Sequence, residues 1–151
     1  MANFLTDGRT AVIAALQGDA TIGPLVKTWR DWGPGLRERF LVDAAHCPLV
    51  AIYPSDATLD YRYDIGKDLP QDLIMRVVAA EHPADAEEII APAITRVELS
   101  TVNMLGLVGE GLKDIVIQSW RWAAYRDEKA ALVLWDVAVI LRLLWVRRRA
   151  T

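Results

Sequence analysis

A chain of 151 residues and 16.8 kDa has the length of one ordinary domain and can bury a core without disulfides or a structural metal. Hydrophobic residues make up 53% and charged residues 25%, which excludes disorder, and a net charge of −3 lacks the positive excess of a dedicated nucleic-acid binder. One cysteine, Cys47, excludes an internal disulfide, and two histidines, His46 and His82, leave little for metal chemistry, so the composition leans against an enzyme.

The opening residues Met1 to Arg9 have no basic stretch followed by a long apolar one, so no secretory signal is expected. A first helix is predicted from Arg9 to Gln17, with Val12, Ile13 and Leu16 on one face, Thr6 or Asp7 as its cap and Gly18 as a left-handed end. Asp19 then caps a short turn that holds Pro24 and points Ile22, Leu25 and Val26 inward. Trp29 to Gly35 reads as a break, because two glycines around a proline cannot continue regular structure. Arg37 to Ala45 is expected as a short helix, and Pro48 to Tyr53 as a short buried strand.

Ser55 to Gln71 is polar and aromatic and is expected as a long loop in which Tyr61 and Tyr63 alternate with Arg62 and Asp64. A second strand covers Asp72 to Ala80, with Leu73, Met75, Val77 and Ala79 on one side and Ile74 and Val78 on the other. After His82-Pro83, the longest helix is expected from Ala84 to about Met104, with Asp85 and Glu88 at capping-box spacing and Pro92 as a kink or a late start. Gly106, Gly109 and Gly111 mark a loop, Asp114 to Tyr125 a strand, and Arg126 to Lys129 a charged turn.

Ala131 to Val146 is the most apolar stretch. Its Val133, Val137, Val139, Ile140, Trp135 and Trp145 favour a strand, although Leu134, Ala138, Leu141 and Trp145 also fit a helical period. Asp136 and Arg142 would each cost ~3 kcal/mol at a bilayer centre, so a membrane span is not expected and the chain reads as cytosolic. The whole is an α+β fold in one domain over residues 1–151: helices packed on a mostly antiparallel sheet that ends in a C-terminal β-hairpin.

Candidate chemistry is sparse. Gly106 to Lys113 superficially resembles a phosphate loop, but Leu112 separates Gly111 from Lys113 and a strand follows, so no helix N-terminus is offered to an anion. His46 and Cys47, read as strand neighbours, point to opposite faces and do not form a nucleophile–base pair. Asp85, Glu87 and Glu88 fit the first turn of a helix, where negative charge is favoured. Arg147 to Arg149 is a solvated tail or a short anionic contact. The unusual feature is six tryptophans. Trp120 and Trp122 share one strand face near Arg126, a combination used most often at subunit interfaces.

The order of the pieces resembles the tail terminator, or tail completion, proteins of long-tailed bacteriophages. The resemblance runs from about Thr10 to Arg149: the helix Thr10 to Val26, the proline-led strand Pro48 to Tyr53, the strand Asp72 to Ala80 running into the Ala/Glu-rich Ala84 to Ile90, and the closing hairpin of Ile115 to Tyr125 with Ala131 to Val146. Lys27 to Ala45 and Ser55 to Gln71 differ from the family pattern. The resemblance implies a non-catalytic homohexameric ring in the neck of the virion, assembled in the host cytoplasm. Such a ring joins the tail tube protein to the head connector or stopper protein. It implies no cofactor, no metal and no membrane, and DNA as a partner only in passing through the lumen. On that reading Tyr61, Arg62, Tyr63 and Asp64 form a docking loop, and Trp120, Trp122 and Arg126 a subunit interface. Competing expectations are another neck or tail component (connector, stopper or tube subunit), or a small-molecule binding module using the Trp-rich sheet face.

Overall fold

The computed structural model describes residues 4–31, 44–54, 68–99, 112–127 and 131–146. Two helices, α1 (Phe4–Gln17) and α2 (Pro83–Leu99), accompany five strands: β1 (Thr28–Asp31), β2 (Leu49–Pro54), β3 (Asp68–Ala80), β4 (Leu112–Asp127) and β5 (Leu132–Val146). They form one sheet in the order β1-β2-β3-β5-β4. Only the short β1–β2 pairing is parallel; the other three are antiparallel. The fold is α+β with a C-terminal strand pair, as the residues predicted.

Period-two alternation sorts the sheet into two faces. Val50 and Ile52 of β2, Leu73, Met75, Val77 and Ala79 of β3, and Val137, Val139, Leu141 and Leu143 of β5 all turn to one side. There they meet Val12 and Leu16 of α1 and Ala86, Ile89, Ile90, Ala93 and Val97 of α2. The opposite side holds a smaller cluster, Leu49, Ala51, Val78 and Leu134, against which Ala44 and Cys47 pack. β5 is a strand because its β-branched residues alternate across two different surroundings, which a helix would have mixed on one face.

Several boundaries differ from expectation. α1 begins at Phe4, so Thr6 and Asp7 lie inside it and not at the position before its first turn. Gly18 ends the helix by donating its N–H to Ala14 O, without a left-handed φ. Asp19 does cap the next turn, its Oδ1 accepting from the N–H groups of Thr21 (2.8 Å) and Ile22 (3.0 Å). Ile22 and Val26 enter the core, but Leu25 is left exposed. Trp29 to Asp31, expected within a break, belong to β1, because pairing with Trp29↔Val50 and Asp31↔Ile52 outweighs the local turn composition. Of the helix expected over Arg37 to Ala45, only the 3-10 turn Ala44–His46 lies within the described residues. β3 starts at Asp68, so the end of the expected loop is strand, drawn in by pairing with the last residues of β5. α2 starts at Pro83, which puts Asp85 in the first turn and not at the cap. Pro92 lies inside the helix, so no late start occurs. Arg126 and Asp127 extend β4 and are not a turn. The Gly106 to Gly111 loop lies outside the described residues.

Gly8 sets how closely α1 sits on the sheet. A β-carbon there would stand 2.7 Å from Gln71 Oε1 and 2.9 Å from side-chain atoms of Leu143 and Trp145. Gln71 Oε1 also accepts a hydrogen bond from Trp145 Nε1 at 2.9 Å, so this neighbour is held in place. Gly8→Val should therefore overpack the site and cost about 1–3 kcal/mol, read as a lower Tm in thermal denaturation. An unchanged Tm would contradict the close approach.

Candidate functional site

Among the described residues β4 is an edge strand, paired with β5 alone. Its first half is covered on the helix side: Ile115 is buried and Ile117 packs against the core. Between Ile117 and Ser119 the register shifts. Ile117 stands opposite Leu141, but Ser119 stands opposite Ile140, so Gln118 is an extra residue. Such a bulge reverses which face every later side chain occupies. Without it, Trp120 and Trp122 would turn to the open face. With it, they share the helix-side rows of Val139 and Val137, while Arg121 and Ala123 turn to the open face.

Neither helix covers this second half. Trp120 is 61% exposed, Trp122 40%, and Val133, opposite Arg126 on β5, 40%. Ala124 and Arg126 on the same face are also exposed. Trp135, opposite Ala124, is half-buried and donates its indole N–H to the carbonyl of Glu81 at 3.2 Å. The Glu81 N–H in turn donates to Val133 O at 2.8 Å, so the β3–α2 corner is tied to the strip and brings the exposed Glu81 to its rim. The result is an apolar strip of Trp120, Trp122 and Val133 with Arg126 and Glu81 at its upper end. Surfaces of this kind on an otherwise ordinary protein mark sites of contact with other proteins.

The open face carries different chemistry. Arg142 pairs bidentately with Asp72 across the β3–β5 ladder, at 2.8 and 2.9 Å. Two same-face positions further along β3, past Ile74, Arg76 pairs with Asp136, with Nε 3.2 Å from Oδ1 and a second, shorter contact from its terminal nitrogen to Oδ2. Burial alone would lower the Arg76 pKa. The hydrogen bond and charge of Asp136 outweigh it and hold the guanidinium above its ordinary value. Around this pair lies a trough of about 750 Å³, floored by Ile74, Ala138 and Ile140 and bordered by Tyr53, Arg121 and Trp122. Within it Arg76 and Asp136 neutralise each other, and Arg121 adds a further cation at its border. Among the described residues, no group of three or more His, Cys, Asp or Glu is placed to hold a metal ion, and no helix is long and apolar enough to cross a membrane.

The structure therefore brings Trp120, Trp122 and Arg126 together on one face. Tyr61, Arg62, Tyr63 and Asp64 lie outside the described residues, as do Trp32 and Arg147 to Arg149. His46 and Cys47 sit at a 3-10 turn and not in a strand, so the strand argument that kept them apart does not apply. Glu87 and Glu88 are exposed in the first half of α2. Sequence reasoning missed Val133, Trp135 and Glu81 as parts of the strip, and both open-face ion pairs. The alternation of Asp72 and Arg76 with apolar residues, repeated by Asp136 and Arg142, was the available signal for the pairs.

No protein-family model matches the chain, and no curated protein does. A chain in the solved virion of the native gene transfer agent (GTA) particle superimposes with a TM-score of 0.55 at 19% identity, over 90% of this chain and 93% of that one. Two structures from Akkermansia muciniphila give TM-scores of 0.34 and 0.32 at 15% and 16% identity, each over 68% of this chain and under half of their own. The likeness to the virion chain shows a shared fold over nearly the full length of both.

Removing one partner of a buried ion pair strands the other. Asp136→Ala should lower stability by about 3–5 kcal/mol, and the double change Arg76→Met/Asp136→Leu by much less. Urea denaturation checks this; equal losses in the two variants would contradict the pairing.

Proposed function

We propose that the protein is a virion structural protein, a non-catalytic tail terminator that forms a ring on the tail tube and joins it to the head connector or stopper. The observation that carries this reading is the fold shared with a chain of the GTA virion over 90% of one chain and 93% of the other. The order of elements that resembles the tail terminators supports it independently. The Trp120–Trp122–Arg126 strip supports the ring, since apolar surface uncovered in the single chain would be buried between subunits. The net charge of −3 suits a channel through which DNA slides without adhering. Other neck or tail components share the same support and are separated by where in the particle the protein sits. The binding-module reading is less favoured, because Trp120 faces away from the open trough and only Trp122 reaches its rim.

In this reading the segment around Tyr61, Arg62, Tyr63 and Asp64 docks on the tube or connector. Particles made without this protein should accumulate as separate heads and tails, and adding the purified chain should join them. The Tyr61→Ala/Tyr63→Ala variant should keep a native far-UV spectrum and fail to join. Full joining by that variant would overturn the docking assignment, and joined particles in the absence of the protein would overturn the terminator role.

A further inference from the structure

The open face of the sheet, away from α1 and α2, carries a second surface that the ring reading leaves unused. Its trough spans four strands, ~14 Å at the ordinary strand spacing, and the register resolves it into cross-sheet rows. Tyr53, Ile74, Ile140 and Ser119 stand in one row. Arg76, Ala138 and Arg121 stand in the next, and Asp136 and Ala123 in the one after. The first row is apolar at its centre, where Ile74 and Ile140 are half-buried. The second dips in the middle, because the small Ala138 lies between arginines on the two neighbouring strands.

Those two arginines are not equivalent. Arg76 is engaged by Asp136. Arg121 is exposed and makes no hydrogen bond or ion pair among the described residues. The three charges that line the trough therefore leave one uncompensated cation beside an apolar floor. A single carboxylate balances that cation. A phosphate group, with about two negative charges, exceeds what one guanidinium compensates and would crowd the carboxylate of Asp136. The shape of the trough narrows the source. A small-molecule site encloses most of its ligand, whereas Ser119, Arg121 and Ala123 along the β4 border are all exposed. A trough open along one edge suits a polypeptide that passes across it.

We propose that the trough takes an acidic side chain, flanked by apolar ones, on a segment of another virion protein. Its carboxylate meets Arg121 over Ala138, and its apolar neighbours lie on Ile74 and Ile140. The virion reading supplies only the source of the segment; the chemistry is that of this face. The strip and the trough thus use opposite faces of the same stretch of β4, one for a second copy of the chain and one for a different protein.

Two capped peptides serve as probes, Ala-Ile-Glu-Ile-Ala and the same sequence with Gln in place of Glu. Each is titrated at low salt into the isotope-labelled protein and followed by amide NMR shifts. The Glu peptide should move the signals of Ile74, Arg121 and Ala138 and bind about fivefold more tightly than the Gln peptide, the size of an exposed ion pair. Arg121→Gln should make the two peptides equal. Ala138→Leu, at a half-buried position, should weaken both while the far-UV spectrum is kept. In the joining of heads to tails, Arg121→Glu should fail with its native mass unchanged. Equal binding of the two peptides by the unaltered chain, or no shift at the trough residues, would overturn the site and leave the virion reading intact. Full joining by Arg121→Glu would overturn another virion protein as the source of the segment.

Discussion

The ladder between β3 and β5 is the constraint on which the rest of the molecule depends. Every residue of β3, from Asp68 to Ala80, is paired with β5. A one-residue slip would exchange the two faces, sending Leu73, Met75 and Val77 away from the helices and Arg76 and Asp72 into the core. Both alternatives are costly, so the register is sharply specified. The ion pairs Asp72–Arg142 and Arg76–Asp136 reinforce it from the open face, since each is satisfied only in this alignment. With the central pair fixed, β2 and β4 add to its two sides, and α1 and α2 cover the apolar face.

Against that regular frame the bulge at Gln118 stands out, because it acts on the strand whose second half neither α1 nor α2 covers. Up to Ile117, β4 follows the alternation that buries its apolar residues under the helical layer. After the bulge the same alternation delivers two indoles to a part of that face that neither α1 nor α2 reaches. On the ring reading proposed above, these tryptophans belong to a contact between copies.

Much of the fold was legible in the residues. The strands over Leu73 to Ala79 and Val133 to Trp145, the helix after His82-Pro83 and the short strand Leu49 to Tyr53 each carried a period that matches their burial. β1 was not legible, because Trp29 to Asp31 run through Trp32 into Gly33-Pro34-Gly35 and their strand character comes from pairing with β2, between Leu49 and Ile52. Helix starts were misplaced where a capping residue stood just inside the true end, as with Asp7 and Asp85. The strip was half legible. Trp120 and Trp122 stand two residues apart and so share a face in any strand, but which face depends on a bulge that no turn residue announces. The contribution of Val133 and Glu81 follows from tertiary pairing alone.

The central claim is that the single chain is an incomplete unit that closes into a ring. It is tested most directly by the native mass of the unaltered protein over a wide range of concentrations. The account predicts a rise from the 16.8 kDa monomer to one closed species, with about six copies implied by the terminator resemblance, and no growth beyond it. A mass that stays at one chain throughout, or a mass that grows without a plateau, would contradict it.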